Sequence, residues 1–324
     1  MKLGLGLGTQ GVVGPWWQEG DLYAADFVLR RFMAGGLEAG FAEICAFDRA
    51  GAAYAHRSDG RLVRFGSGVP RLTQDGLLLE GDGTNAVRHS SGLGQTASWG
   101  RSGNANVTGQ RLALGALVLE ECTVTGSAGQ NQWSQFAGSD RLTVPPGQVG
   151  VVSHYIKAGQ SPRTRTHAVD GAGATATIWN WEDGVPSVNA TIVNNPGRTS
   201  HAGSGSQRIG ADVWRVWTAF RNESGMALSY GATVMISDAD PNPYASACWV
   251  GGNQLELGER PGSLIPTTGS VGHRSADSLS LLLPQAGLDV ALVFAHGRDE
   301  IGGAGAVQPV AFGRMAVLES VRAG

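Results

Sequence analysis

Three features of the sequence predict an all-β fold. Between Trp99 and Gly258, apolar runs recur at short intervals: Leu112–Leu119, Val149–Ile156, Thr175–Trp181, Ala190–Val193, Val213–Phe220, Ala227–Ile236 and Ala247–Val250. Gly, Asn or Pro separates the runs, which is how tight turns between strands are punctuated, and the 50 glycines of the 324-residue chain are spread along it. No helical period of useful length occurs in this region. Seven or more short strands at this spacing make a β-sandwich or a barrel.

In chain order, residues 1–20 alternate Gly with Leu3, Leu5 and Leu7 and end in Trp16–Trp17. A period of two places the leucines on one face of an extended arm, suited to docking or strand exchange. The Gly-x-Gly run does not follow a strand or open a helix, so it is not a dinucleotide fingerprint. Residues 21–39 predict a short helix: Asp21 can cap it, Leu22, Asp26, Leu29 and Met33 line one side, and Gly35–Gly36 would end it. A strand pair is the alternative, because the segment is rich in β-formers. Asp59–Gly60 and Asp75–Gly76 each lie between apolar runs and predict hairpins.

Residues 246–276 organise the rest. Ala247, Trp249 and Gly251 fall on one side of an extended segment, and Cys248 and Val250 on the other. Gln254 to Leu257 continue the alternation, Pro261–Gly262 turn the chain and Leu264–Ile265–Pro266 end the element. This reads as the closing strand of a sandwich with a pinned exit. The tail carries runs Leu279–Leu283, Val290–Phe294 and Ala316–Val321, too few for a separate sandwich. Its strands are expected to complete a sheet on this chain or on a neighbouring subunit.

Charged residues make up 16% of the chain and the net charge is −3, so electrostatic nucleic-acid binding has little support. No apolar stretch approaches membrane-spanning length. One Lys and no long apolar run at the start give no sign of a signal peptide. Cys45, Cys122 and Cys248 are widely spaced and odd in number, which predicts buried free thiols rather than a disulfide framework or a zinc site.

Several short motifs resemble those of phage tail-fibre and head-spike proteins that carry a jelly-roll carbohydrate-binding module. They include Arg49–Ala50, Val69–Pro70–Arg71, the Leu-Leu-x-Glu-Gly-x-x-Thr-Asn run ending at Asn85, Ser153/Tyr155/Lys157–Gly159 and Trp214/Arg215/Trp217. The longest is Trp249, Gly252, Gln254–Glu256, Gly258, Pro261, Ser263, Ile265–Thr267, Gly269, Arg274, Ala276 and Asp277. Gly83 stands where the family usually has Arg. The matches run in order over roughly residues 47–278. The resemblance implies a jelly-roll β-sandwich with an N-terminal attachment arm and short helix, and extra C-terminal strands. The corresponding division is 1–46 (attachment arm and helix), 47–95 (hairpin connector), 96–260 (jelly-roll module) and 261–324 (C-terminal β segment). It further implies a structural virion component, a head spike or tail fibre of a phage or phage-like gene transfer agent, binding host cell-surface or capsular polysaccharide. Such a protein would be made in the bacterial cytoplasm, leave by lysis on the particle, contact other particle proteins, and form a homo-oligomer, a trimer or a pentamer. The alternatives are a spike-base adaptor holding a second spike protein, and a capsule depolymerase.

Sugars present flat C–H faces to aromatic rings and hydroxyls to amides. Trp133 and Gln135 in GQNQWSQFAG, and Trp179, Asn180 and Trp181 in IWNWEDG, are therefore the expected carbohydrate contacts, with both rings of the second pair on one strand face. Trp214, Trp217 and Trp249 read as core. Asp238, Asp240 and Asn242 read as an Asx-type turn before proline rather than a Ca²⁺ loop. No nucleophile elbow or zinc-protease motif is present, and the seven histidines are scattered. Glu120–Glu121 and Glu182–Asp183 are poor glycosidase pairs, because adjacent carboxylates on a strand face opposite ways. No enzymatic activity, cofactor or metal is expected.

Overall fold

The structure is a computed structural model that describes residues 21–95, 98–102, 105–124, 133–159, 163–210, 212–237, 246–294, 297–310 and 313–323. The expected arm (1–20) and the Asp238–Asn242 turn lie outside the described residues. The chain is all-β, built from antiparallel sheets with one four-residue helix, Phe41–Ile44. It divides into two units. One comprises residues up to Asp48, Pro70–Leu79 and Asp277 onward, and the other comprises Arg49–Val69 and Glu80–Ala276. The unit break after Asp48 lies two residues beyond the boundary expected at 46, and the other breaks follow Val69, Leu79 and Ala276.

In the first unit the tail strands complete a sheet on this chain. Gly313–Ala323 pairs with Leu288–Phe294, Tyr23–Asp26 and Gly76–Leu79. The helix expected over 21–39 is instead a meander of Tyr23–Asp26, Arg31–Ala34 and Leu37–Ala39. The reason is local. Gly35 and Gly36 both have positive φ, +59° and +79°, and Ala34 pairs with Leu37 across them. Two consecutive left-handed residues make a two-residue hairpin turn whose twist matches the strands it joins, so the glycines that resemble a helix stop are a strand reversal. Phe27, Ile44, Leu77, Leu281, Leu288 and Leu292 fill this unit's core. Arg71 and Asp277 form an ion pair inside it, with both side chains fully buried.

The second unit is a sandwich. One six-stranded sheet runs Ala105–Leu114, Leu117–Val124, Ser246–Leu257, Val149–Ala158, Val213–Asn222, Thr199–Gly210. A seven-stranded sheet runs Trp99–Ser102, Trp133–Gly138, Leu228–Ser237, Arg163–Val169, Ala174–Glu182, Val185–Asn194, with Leu142–Val144 added beside Leu228–Ser237. Alternate residues of both meet in one core, including Cys122, Val152, Ile156, Phe220, Cys248 and Val250 from the first and Phe136, Trp179, Tyr230, Val234 and Ile236 from the second. The Asp59–Gly60 and Asp75–Gly76 hairpins form as the sequence predicts.

The Ser246–Leu257 strand closes the sandwich in sequence but lies inside its sheet, between Leu117–Val124 and Val149–Ala158. Its pairing shifts register between Ser153 and Tyr155, where a bulge admits Gly252 and Asn253. Gly252 has φ +55°, and a Cβ there would meet Tyr155 at 2.4 Å, so the bulge requires glycine. Beyond the strand, a buried polar network pins the exit. Ile265 N donates to Gln254 Oε1 at 2.8 Å and Gly262 N to Glu256 Oε1 at 2.9 Å. Asn85, fully buried, donates to the carbonyls of Asn253 and Ile265 and accepts from the amides of Val87 and Leu255. Arg274 reaches Ser263 O, Gly81 O and the Glu80 carboxylate. A Cβ at Gly83 would lie 2.7 Å from Arg274 Nη2, and one at Gly262 2.8 Å from it. The guanidinium therefore occupies the space a side chain at position 83 would need.

Candidate functional site

The sequence of one interior strand shows how the seven-stranded sheet sorts its side chains. In RTRTHAV (163–169), Thr164, Thr166 and Ala168 face the core and are fully buried, while Arg163, Arg165 and His167 face outward and are half-buried. The next strand, ATATIWNWE, continues the pattern. Thr175, Thr177, Trp179 and Trp181 point in, and Ala176, Ile178 and Asn180 point out.

Trp179 and Trp181 share a strand face as expected, but it is the inner one, which overturns their assignment as sugar contacts. They are 1% and 8% exposed. The Trp179 indole N–H donates to Thr166 Oγ1 at 3.1 Å, and that of Trp181 to Thr164 Oγ1 at 2.9 Å. Each ring finds a hydroxyl on the neighbouring strand, so neither polar atom is buried unanswered, and a ring of this size then stabilises the core by its area. Trp214, Trp217 and Trp249, expected as core, are half-buried. Trp214 packs on the sandwich core, Trp217 on Val149, Val151 and Ala219, and Trp249 on a smaller cluster that includes Leu119 and Tyr155.

Gln135 and Asn180 both lie on the outward face. Gln135 is in register with Met235, Met235 with Arg165, and Arg165 with Ile178, one row across four strands. Asn180 stands opposite Arg163, two residues along from Ile178. His167 lies in the next row, between Thr233 and Ala176. Trp133 belongs to the Trp133–Gly138 strand, opposite Ser237, and its side chain lies outside the described residues. The face is sheltered: Met235, Thr233 and Ala176 on it are buried. Asn180 Oδ1 and His167 Nδ1 on it are buried without a hydrogen-bond partner among the described residues. Burial, and next the Arg165 guanidinium, pull the His167 imidazole down to about 4, so it is neutral near pH 7. The sequence reading missed His167 and Arg165, although the period-two alternation of RTRTHAV marks them as the outward partners of buried threonines.

Elsewhere Thr177 Oγ1, His154 Nε2 and His201 Nε2 are also buried without a partner among the described residues, whereas the carboxylates of Glu256, Glu120 and Glu121 are engaged. Glu256 is 4% exposed, and burial raises its pKa despite the nearby Arg215. Its Oε1 accepts from Gly262 N and Gln254 Nε2, which makes it a clamp on the exit. A recess of about 240 Å³ lined by Tyr54, Pro266, His273 and Arg274 lies nearby, but Arg274 is already held by Ser263, Gly81 and Glu80. Glu120 is buried against Arg111, while Glu121 bonds Thr108 on the other face. Among the described residues no three His, Cys, Asp or Glu side chains are grouped to hold a metal ion, and no helix is long and apolar enough to cross a membrane. No family model matches the chain, and no curated protein matches it.

Proposed function

We propose that this chain is a structural component of a phage-like particle, a head spike or tail fibre, that binds host cell-surface polysaccharide through the outward face of its seven-stranded sheet. One observation carries the reading: Asn180 Oδ1 and His167 Nδ1 are buried on that face with no hydrogen-bond partner among the described residues. Buried polar atoms are nearly always satisfied, and those that are not call for a ligand, a water or a mechanism. Sugar hydroxyls donate and accept, so they suit an amide oxygen and an imidazole nitrogen on the sheet face that also carries Arg165 and, farther across it, Gln135. The ordered motifs shared with spike and fibre proteins support the particle context, and in that context the chain acts as a homo-oligomer without catalysis.

The test is the affinity of purified host capsular polysaccharide for the wild-type chain and for Asn180→Ala. One lost hydrogen bond of about 1–1.5 kcal/mol corresponds to roughly a tenfold weaker Kd. Equal affinity of the two proteins, or no binding by either, would reject the site.

A further inference from the structure

The structure brings together two thiols that the sequence leaves far apart. Cys122 on Leu117–Val124 and Cys248 on Ser246–Leu257 are direct register partners. Both side chains are fully buried in the same core and both are free thiols. Facing residues of an antiparallel pair have Cα atoms about 4.5–5.5 Å apart, within the 4.4–6.8 Å that a disulfide usually spans. Burial first, and then the neighbouring Cys248 sulfur, raise the Cys122 pKa, and burial pushes Cys248 up to about 12. Cys45 belongs to the other unit and has no such partner among these cysteines.

We propose that Cys122 and Cys248 are a latent disulfide, closed by a low-molecular-weight disulfide oxidant when the protein passes from a reducing to an oxidising medium. The thiolate of one cysteine attacks a sulfur of the oxidant, breaks its S–S bond and expels one thiolate. The second cysteine then attacks the protein-side sulfur of the mixed disulfide and expels the other. Two protein thiols are oxidised, one oxidant disulfide is reduced to two thiols, and the two S–H protons pass to them. Scarce thiolate and full burial make the step slow in the closed fold. Access comes through the Ala105–Leu114/Leu117–Val124 hairpin, because Ala105–Leu114 is largely exposed and among the described residues is an edge strand paired on one side only. Once formed, the bond ties that edge hairpin to an interior strand and hides itself in the core. The inference is independent of polysaccharide binding.

The experiment uses the full wild-type chain, incubated with oxidised glutathione under native conditions, then denatured, alkylated and mapped by peptide mass spectrometry. The expected product is a linked Cys122–Cys248 peptide pair with Cys45 alkylated, and a Tm raised by several degrees that dithiothreitol reverses. A Cys122→Ser chain treated the same way should show no Tm rise. Recovery of both cysteines as alkylated thiols, of a glutathione adduct without the link, or of the link only after full unfolding, would each overturn the proposal.

Discussion

The two faces of the Ala174–Glu182 strand make opposite use of neighbouring residues. Inward, Trp179 and Trp181 are buried and their indole N–H groups are answered by threonines one strand away. Outward, Asn180 is only half-buried, yet its amide oxygen has no partner among the described residues, and His167 on the adjacent strand repeats the arrangement. Aromatic rings are thus no guide to the outward face here. The ring that looks like a sugar platform in sequence is core when its one polar atom is satisfied internally. Unpartnered polar atoms occur on both faces, Thr177 Oγ1 inward and Asn180 Oδ1 and His167 Nδ1 outward, and only the outward ones bear on the proposed binding.

The largest effect that would break this contrast is on stability. Trp179→Ala should cost about 3–5 kcal/mol, the range for truncating a buried aromatic, read by urea denaturation. A chain that kept its stability would place Trp179 outside the core. Acid gives the next largest. His154 lies wholly inside the sandwich, and burial pulls its pKa down to about 4, although Asn253 opposes the shift. In the unfolded chain it protonates near 6.5, so between these values the unfolded state binds more protons. Its stabilising contribution is therefore full above about pH 6.5 and is lost as pH falls toward 4, by about 3 kcal/mol. Glu256, raised by burial, works in the opposite sense, so the useful quantity is the wild-type pH profile minus that of His154→Gln. A flat difference from pH 7 to 4 would show that His154 is hydrated. His167→Gln should change the profile less, because its ring is partly exposed.

Smaller still, Thr166→Val removes the acceptor of the Trp179 indole and should cost about 1–3 kcal/mol. Asn180→Ala, by contrast, should shift stability by no more than about 0.5 kcal/mol, as for a substitution outside the core network. If the two variants were equally destabilised, the distinction between the faces would fail.

Much of the fold was readable from local pattern. The turns at Asp59–Gly60 and Asp75–Gly76, the inward Cys248 and Val250, and the shared face of Trp179 and Trp181 all follow from period-two alternation and turn chemistry. What alternation cannot supply is which of two faces is inside, because that depends on a partner sheet from elsewhere in the chain. The same gap hid the Cys122–Cys248 register and the buried Arg71–Asp277 pair, both of which join distant segments. Gly35–Gly36 misled for a different reason. A left-handed glycine ends a helix or turns a hairpin equally well, and only the pairing of Ala34 with Leu37 decides between them. The motifs most visible in the sequence, around Asn85, Gln254, Glu256 and Arg274, hold the sandwich exit in place. They mark architecture, and the candidate site carries no comparably long motif.

The most direct test follows His154 and His167 together. In the full chain with ¹⁵N-labelled histidine, fragments of purified host capsular polysaccharide should shift the Nδ1 resonance of His167 and leave His154 unmoved. Bound fragments with an unmoved His167, or no response at saturating fragment, would contradict the assignment of the outward face as the binding site.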